Sequence, residues 1–237
     1  MKKFLFLFLI PSLVFAGFKE WGAEKAIDLA TRFDEVLFDL EIDSSDLSGL
    51  PKDKRFKLSF NLLPFTIPPI FPNISIKGRV FKEKKRMPQV AFSLNYGEIL
   101  GLRLAEKIDD VERARCYTYG AGLILKKTLK SDISLFSGVK KIGGKSEVFL
   151  KEKGTGTGWF SLEDIPINVR LNEYAFFTGL YILRGKNGFW SVTSGIIPGK
   201  KKLFSKIELG FRKHWVFGLG IYPEGTFVFH PTLGLRW

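Results

Sequence analysis

The stretch Phe227-Val228-Phe229-His230-Pro231-Thr232-Leu233-Gly234-Leu235-Arg236-Trp237 decides how this chain is read. Phe227, Phe229, Pro231, Leu233, Leu235 and Trp237 fall on one row. Val228, His230, Thr232, Gly234 and Arg236 fall on the other. A strand sends alternate side chains to opposite faces. One face is therefore apolar and the other small or polar, and the last residue of the sequence is aromatic.

The same alternation recurs upstream. Phe56, Leu58, Phe60 and Leu62 oppose Arg55, Lys57, Ser59 and Asn61. Val90, Phe92, Leu94 and Tyr96 oppose Ala91, Ser93, Asn95 and Gly97. Leu203, Ile207, Leu209 and Phe211 oppose Lys206, Glu208, Gly210 and Arg212, and Trp215, Phe217, Leu219 and Ile221 oppose Val216, Gly218, Gly220 and Tyr222. Residues 35–43 are read the same way, with Val36, Phe38, Leu40 and Ile42 against Glu35, Leu37, Asp39, Glu41 and Asp43. Less regular strands fit at 73–81, 116–126, 131–140, 145–152, 172–184 and 188–197. The count is about twelve, or ten if 145–152 lies in a loop. Arg184-Gly-Lys-Asn-Gly188, Lys141-Ile-Gly-Gly144 and Pro223-Glu-Gly225 carry hairpin chemistry. The proline-rich run 64–72 must be a connection. Residues 98–115 read as an amphipathic helix or long loop, and 153–171 as a flexible loop.

The N-terminus reads as an export signal. Lys2 and Lys3 precede an apolar stretch, Phe4–Phe15, too short for a spanning helix, and Val14-Phe15-Ala16 offers a cleavage site before Gly17. Residues 1–16 are thus expected to be a signal peptide. Residues 17–34 form an N-terminal helical segment, with Trp21, Ile27, Ala30 and Phe33 on one face. It is expected either to plug the barrel or to lie on the periplasmic side. Residues 35–237 form the barrel. Cys116 is the single cysteine, so no intrachain disulfide forms. Mean hydropathy is +0.05, and no later segment is a long uncharged apolar run. Membrane residence then requires the apolar residues to be spread across strands.

Signal peptide, alternating strands and terminal aromatic together resemble bacterial outer-membrane β-barrel proteins as an architectural class. The resemblance covers nearly the whole mature chain and points to no individual family. It implies an all-β fold, a closed antiparallel transmembrane barrel with a short N-terminal helix, in the outer membrane of a Gram-negative-type bacterium. It also implies recognition by the barrel-assembly machinery through Phe229, Leu233, Leu235 and Trp237.

Catalytic chemistry is sparse. The two histidines, His214 and His230, lie near no Ser motif of the acyl-transfer kind. No Cys/His cluster suits zinc. Gly154-Thr-Gly-Thr-Gly158 lacks the Lys-Ser/Thr of a phosphate loop. No catalytic residue, metal or cofactor is assigned. The charges instead suggest a lumen network of Glu35, Asp39, Glu41, Asp43, Arg55, Lys57, Lys206, Glu208, Arg212 and Arg236, paired across strands.

The net charge of +13 gathers in basic runs. On a twelve-strand count Lys84, Lys85, Arg86, Lys200, Lys201 and Lys202 share the outer end, where lipid and lipopolysaccharide phosphates are their natural partners. Nucleic acid is not expected for an exported barrel. The function expected is a narrow or plugged channel or binding protein for small polar or anionic solutes. The alternatives are a structural lipopolysaccharide-binding barrel without a pore, and an outer-membrane lipid-modifying enzyme.

Overall fold

A computed structural model of the chain describes residues 39, 41–63, 71–100, 102, 111–150, 167–185, 188–211, 214–221 and 230–236. Ten antiparallel strands close into a barrel in which each pairs with its sequence neighbours and the first pairs with the last. They are β1 (Phe56–Leu63), β2 (Phe71–Phe81), β3 (Gln89–Glu98), β4 (Val111–Thr128), β5 (Ile133–Leu150), β6 (Ile167–Arg184), β7 (Gly188–Ile197), β8 (Lys202–Phe211), β9 (Trp215–Ile221) and β10 (His230–Arg236). The seam joins Phe60 to Leu235 and Leu62 to Leu233. Closure leaves no unpaired sheet edge, a requirement for strands in lipid. No helix among the described residues is long and apolar enough to cross a membrane.

Ten is the lower of the two expected counts, and the barrel reaches it by a different route. Residues 131–140 and 145–152 are not two strands, nor is the second a loop: β5 runs unbroken through Lys141-Ile-Gly-Gly144. Gly143 is a packing residue there, not part of a turn. Gly143 is paired with Tyr119, whose ring covers it so closely that a Cβ there would collide. The second difference is residues 35–43. Asp39 and 41–44 are helical, and every residue from 41 to 50 is buried. This segment lies inside the barrel. A strand there would need ladder partners on both sides, whereas a helical turn satisfies its own backbone. The short alternation at 36–42 therefore marks no wall strand. Strands β4 and β6 also start earlier than expected, taking in 111–115 and 167–171 from the segments read as helix or loop. The expected 18–34 helix, the signal peptide and the Pro223-Glu-Gly225 turn lie outside the described residues.

The inward and outward rows are those of the alternation. Lys57, Ser59, Asn61, Ser93, Asn95, Lys206 and Glu208 are buried, whereas Phe56, Leu58, Leu94, Ile207, Leu209 and Phe217 are exposed. The exposed apolar side chains form a continuous outer belt. Ile74, Ile76, Leu94, Leu123, Leu125, Leu135, Leu180 and Val192 occupy its middle. One border carries Phe56, Trp190, Phe211 and Trp215, and the other Tyr96, Tyr119 and Tyr174. The Arg184 guanidinium sits 4.1 Å from the Trp190 ring on the first border. An apolar band between two aromatic girdles is the outer face that a bilayer requires.

The end where β1 starts and β10 finishes is called the near end, and the opposite one the far end. Near-end connections run 82–88, 129–132, 185–187 and 212–214. Far-end connections run 64–70, 99–110, 151–166, 198–201 and 222–229. Strands β4, β5 and β6 are each 18 residues long and continue past the far girdle. There the exposed residues turn polar, with Arg113, Arg115, Asn168, Arg170 and Asn172.

Candidate functional site: a filled, charged lumen

Asp39 and residues 41–50 run through the lumen from the far end to the near end. Asp39 meets Lys202 at the far-end start of β8, with Nζ to Oδ2 at 2.7 Å. At the other extreme the Leu50 carbonyl accepts a 3.1 Å bond from Lys126, near the near-end terminus of β4. Pro51–Arg55 then turns the chain into β1.

The sequence explains the segment's form. Asp43-Ser-Ser-Asp-Leu-Ser-Gly49 is polar and rich in residues that bond their own backbone. The helical stretch ends as the Ser45 N–H donates to the Glu41 carbonyl at 3.1 Å. The last carbonyls of a helix need outside partners. Lys206 provides one, donating to the carbonyls of Asp43 and Ser45 at 2.5 Å each and to that of Ile42 at 3.4 Å. A cation is favoured at that terminus by the helix dipole as well. Lys206 also lies 3.1 Å from Glu208, a buried carboxylate of the wall.

Two carboxylates organise the remainder. Glu41 accepts from Asn73 at 2.9 Å on β2, from Asn95 on β3, from Thr118 on β4 and from Lys140 at 2.8 Å on β5. Four adjacent strands thus converge on one side chain. Asp46 is nearer the near end. It pairs with Lys57 at 2.7 Å and Lys77 at 2.9 Å, and accepts from Ser48 at 2.7 Å and Ser59 at 3.3 Å. Lys77 also donates to the Ser48 carbonyl, and Asn61 to that of Ser44. Lys126 reaches the Tyr181 ring at 4.7 Å in addition to Leu50. Ile42, Leu47 and Leu50 are the segment's buried apolar contribution. Gly220 on β9 leaves space for Asp43: a Cβ there would run into its carboxyl group.

The charge arrangement has a direction. Asp39, Glu41, Asp43 and Asp46 come from the inserted segment, and Lys57, Lys77, Lys126, Lys140, Lys202 and Lys206 from the wall, whose own buried carboxylates among the described residues are Glu98, Glu147 and Glu208. An ammonium or carboxylate transferred from water loses several kcal/mol of solvation, recovered only where partners are close and hydrogen-bonded. The wall and the segment therefore depend on each other.

Of the expected network, Asp39, Glu41, Asp43, Lys57, Lys206 and Glu208 do meet in the lumen. Their pairing differs from expectation, because the acidic row stands inside the wall and not in it. Arg55 is exposed in the turn before β1 and is not a lumen residue. Glu35 and Arg212 lie outside the described residues, as does the side chain of Arg236. Asp46, Lys77, Lys126 and Lys140 escape the sequence reading. Lys77 is visible as the inward continuation of Asn73 and Ser75, but Asp46 follows no strand periodicity at all.

The six basic rim residues do not share an end. Lys84, Lys85 and Arg86 lie in the connection after β2, at the near end, and Lys200 and Lys201 in the connection after β7, at the far end. A twelve-strand count shifts the parity of the first group. Lys202 turns inward to Asp39 and leaves the rim altogether. For the assembly signal, Leu233 and Leu235 lie on β10 opposite Phe217 and Trp215, and Phe229 and Trp237 lie outside the described residues. His214 stands in the turn before β9. Among the described residues no group of three or more His, Cys, Asp or Glu could hold a metal ion.

The sequence matches no protein-family model, and no curated protein is similar enough to match it.

Proposed function

We propose that this protein is an outer-membrane barrel providing a pathway for small anions, closed by its own acidic segment. The observation that carries this reading is the division of charge in the lumen. The wall presents lysines, and the segment lays carboxylates against them as a permeating anion would. With the segment withdrawn, the wall would be a passage in which Lys57, Lys77, Lys126, Lys140, Lys202 and Lys206 outnumber Glu98, Glu147 and Glu208, and a net positive lining favours anions. The interface also suits withdrawal. Most of it is polar on both sides, so water can take over its hydrogen bonds when it parts.

Orientation follows from loop length. Outer-membrane barrels keep short turns in the periplasm and longer loops outside. On that rule the near end faces the periplasm and the far end the exterior. Lys200 and Lys201 are then the basic residues of the β7–β8 turn placed for lipopolysaccharide phosphates. The C-terminal strand would serve the barrel-assembly machinery after export by the N-terminal signal.

Conductance in planar bilayers tests the pathway. The intact protein should pass little current. Glu41→Gln combined with Asp46→Asn should open more often and favour chloride over potassium. A large cation-selective current from the intact protein would contradict the reading. A variant that stays silent at every voltage would favour the second reading, a structural barrel without a pore. The complete burial of Ile42, Leu47 and Leu50 speaks for that alternative, since undocking exposes them.

A further inference from the structure

At the near end, beside the mouth of the lumen, the connection between β2 and β3 and the end of β4 border an open cleft of about 370 Å³. Lys52, Arg79, Lys82, Lys84, Lys85 and Lys127 line it. They come from four places in the chain: the link before β1, the end of β2, the β2–β3 connection and the end of β4. Their convergence is a property of the fold and not of a single basic run.

The framework is internally braced. Lys127 donates to the carbonyls of Lys84 at 2.7 Å and Lys85 at 2.9 Å, and Arg79 donates to that of Lys52 at 2.7 Å. Glu83, the one carboxylate among the described residues lining the cavity, is turned to the wall. It accepts from the Thr128 N–H at 3.0 Å and hydroxyl at 2.8 Å, with Lys127 at 3.7 Å. It therefore braces the connection and leaves Lys52, Lys82, Lys84 and Lys85 without a carboxylate among the described residues within salt-bridge distance. Gln89 supplies an independent sign. It lines the same cavity, is 2 % exposed, and its side-chain oxygen has no hydrogen-bond partner among the described residues. Buried amides are normally satisfied. A ligand hydroxyl can donate to this oxygen, or the amide can turn over and donate its own N–H.

We propose that this cavity binds a phosphate group. Several ammonium groups approach from different directions, which suits a tetrahedral, multiply charged anion with many acceptor oxygens better than a planar carboxylate. The volume exceeds a single phosphate and admits the neighbouring atoms of an ester. Phe81 and Met87 are exposed beside the lysines. That neighbourhood allows the same chemistry from two sources, a phosphate in solution or the headgroup of an anionic phospholipid. The site borders the near mouth of the lumen, where Gln89 is the ladder partner of Lys126, and its test reads binding and not conduction.

The test uses the whole protein in zwitterionic detergent at fixed ionic strength. Inorganic phosphate is titrated in one arm. Micelles doped with phosphatidylglycerol, or with phosphatidylcholine as the neutral control, form the other arm. Binding is followed by calorimetry and phosphorus NMR line width. Saturable binding of inorganic phosphate identifies a solution anion. Saturable binding only with phosphatidylglycerol identifies a headgroup. Lys84→Gln with Lys85→Gln should weaken either one about tenfold or more, the scale of losing charge-assisted bonds. Gln89→Leu, which keeps every charge, should weaken it too, and Arg113→Gln with Arg170→Gln, exposed at the far end, should not. Unchanged heat-modifiable gel migration shows that the variants are folded. The proposal is overturned if neither probe saturates, if the near-end variants bind like the parent, or if the far-end variant loses as much.

Discussion

The outer face and the lumen of this barrel answer to opposite solvents, and only one of them keeps a regular pattern. Outside, the exposed row is apolar, and Phe56, Leu58, Leu94, Ile207 and Phe217 repeat with the period of the strand. Inside, the wall must fit Asp39 and residues 41–50, and its side chains are chosen for individual partners: Asn73, Asn95, Thr118 and Lys140 for Glu41, and Lys57 and Lys77 for Asp46. The outer face tolerates exchange of one apolar residue for another, since lipid has no fixed shape. The lumen tolerates little.

The sharpest break of that comparison is Asp46→Ala. It leaves Lys57 and Lys77 buried without their carboxylate, a loss of roughly 3–5 kcal/mol. Urea unfolding in detergent, followed by tryptophan fluorescence, should show a large fall in midpoint. Adding Lys57→Met and Lys77→Met should recover much of the loss, because no buried charge is then stranded. A midpoint unchanged by Asp46→Ala would mean that the segment does not contribute to stability.

Leu94→Arg breaks the outer face instead. A cation at the bilayer midplane of a barrel costs roughly 2–4 kcal/mol. The expected result is reduced folding into bilayers, read as loss of heat-modifiable migration. Leu94→Ile should behave as the parent. Equal insertion of the arginine and isoleucine variants would contradict a lipid-facing position.

Gly220→Ala sharpens the comparison within the lumen. The added methyl meets the Asp43 carboxyl group. Overpacking of this kind costs roughly 1–3 kcal/mol. Stability should fall and channel openings should become more frequent, since the strain acts against the docked segment. Removing the Asp43 carboxyl group as well, with Asp43→Ala, should relieve part of the strain.

The smallest effect belongs to the near-end turn. Burial works against ionisation of Glu83, but the two bonds from Thr128 with Lys52 and Lys127 outweigh it and hold the carboxyl below its usual range. A carboxylate so depressed adds stability above its unfolded value of about 4.3. That contribution fades as pH falls through the folded value. Glu83→Gln should cost about 0–1 kcal/mol near neutrality, as exposed pairs do. Amide exchange at Thr128, compared between parent and variant, should converge in acid.

What is legible in the sequence follows the same division. Alternation identifies which residues of β1, β3, β8 and β9 face out, because the outward row is apolar with the period of the strand regardless of what lies within. It does not reveal that Asp39 and residues 41–43 leave the wall, since carboxylates spaced by two suit a strand's inner row and, here, a segment surrounded by wall. Nor does it show that Lys141-Ile-Gly-Gly144 continues a strand: glycines serve both a turn and a neighbour's ring, and Tyr119 is distant in sequence. One strand too many before β2 is enough to send Lys84, Lys85 and Arg86 to the wrong end. Asp46 is invisible because its role is set by Lys57 and Lys77, partners that only closure assembles.

Asp39 and residues 41–50 precede β1, lie within the ring, and are tied to the strand that completes it. Asn61 donates to the Ser44 carbonyl, Lys57 pairs with Asp46, and β1 then meets β10. The consequence is one of order in time. The segment and β1 form a U whose arms are separated only by Pro51–Arg55, one arm inside and the other in the wall. A sheet that rolled shut first would have to admit that inner arm through an open mouth, stripping water from four carboxylates along the way. A sheet that rolls around it meets Lys140, Lys206 and the asparagines of β2 and β3 one strand at a time. An inner arm in place before closure would act as a mandrel, around which the last strand meets the first.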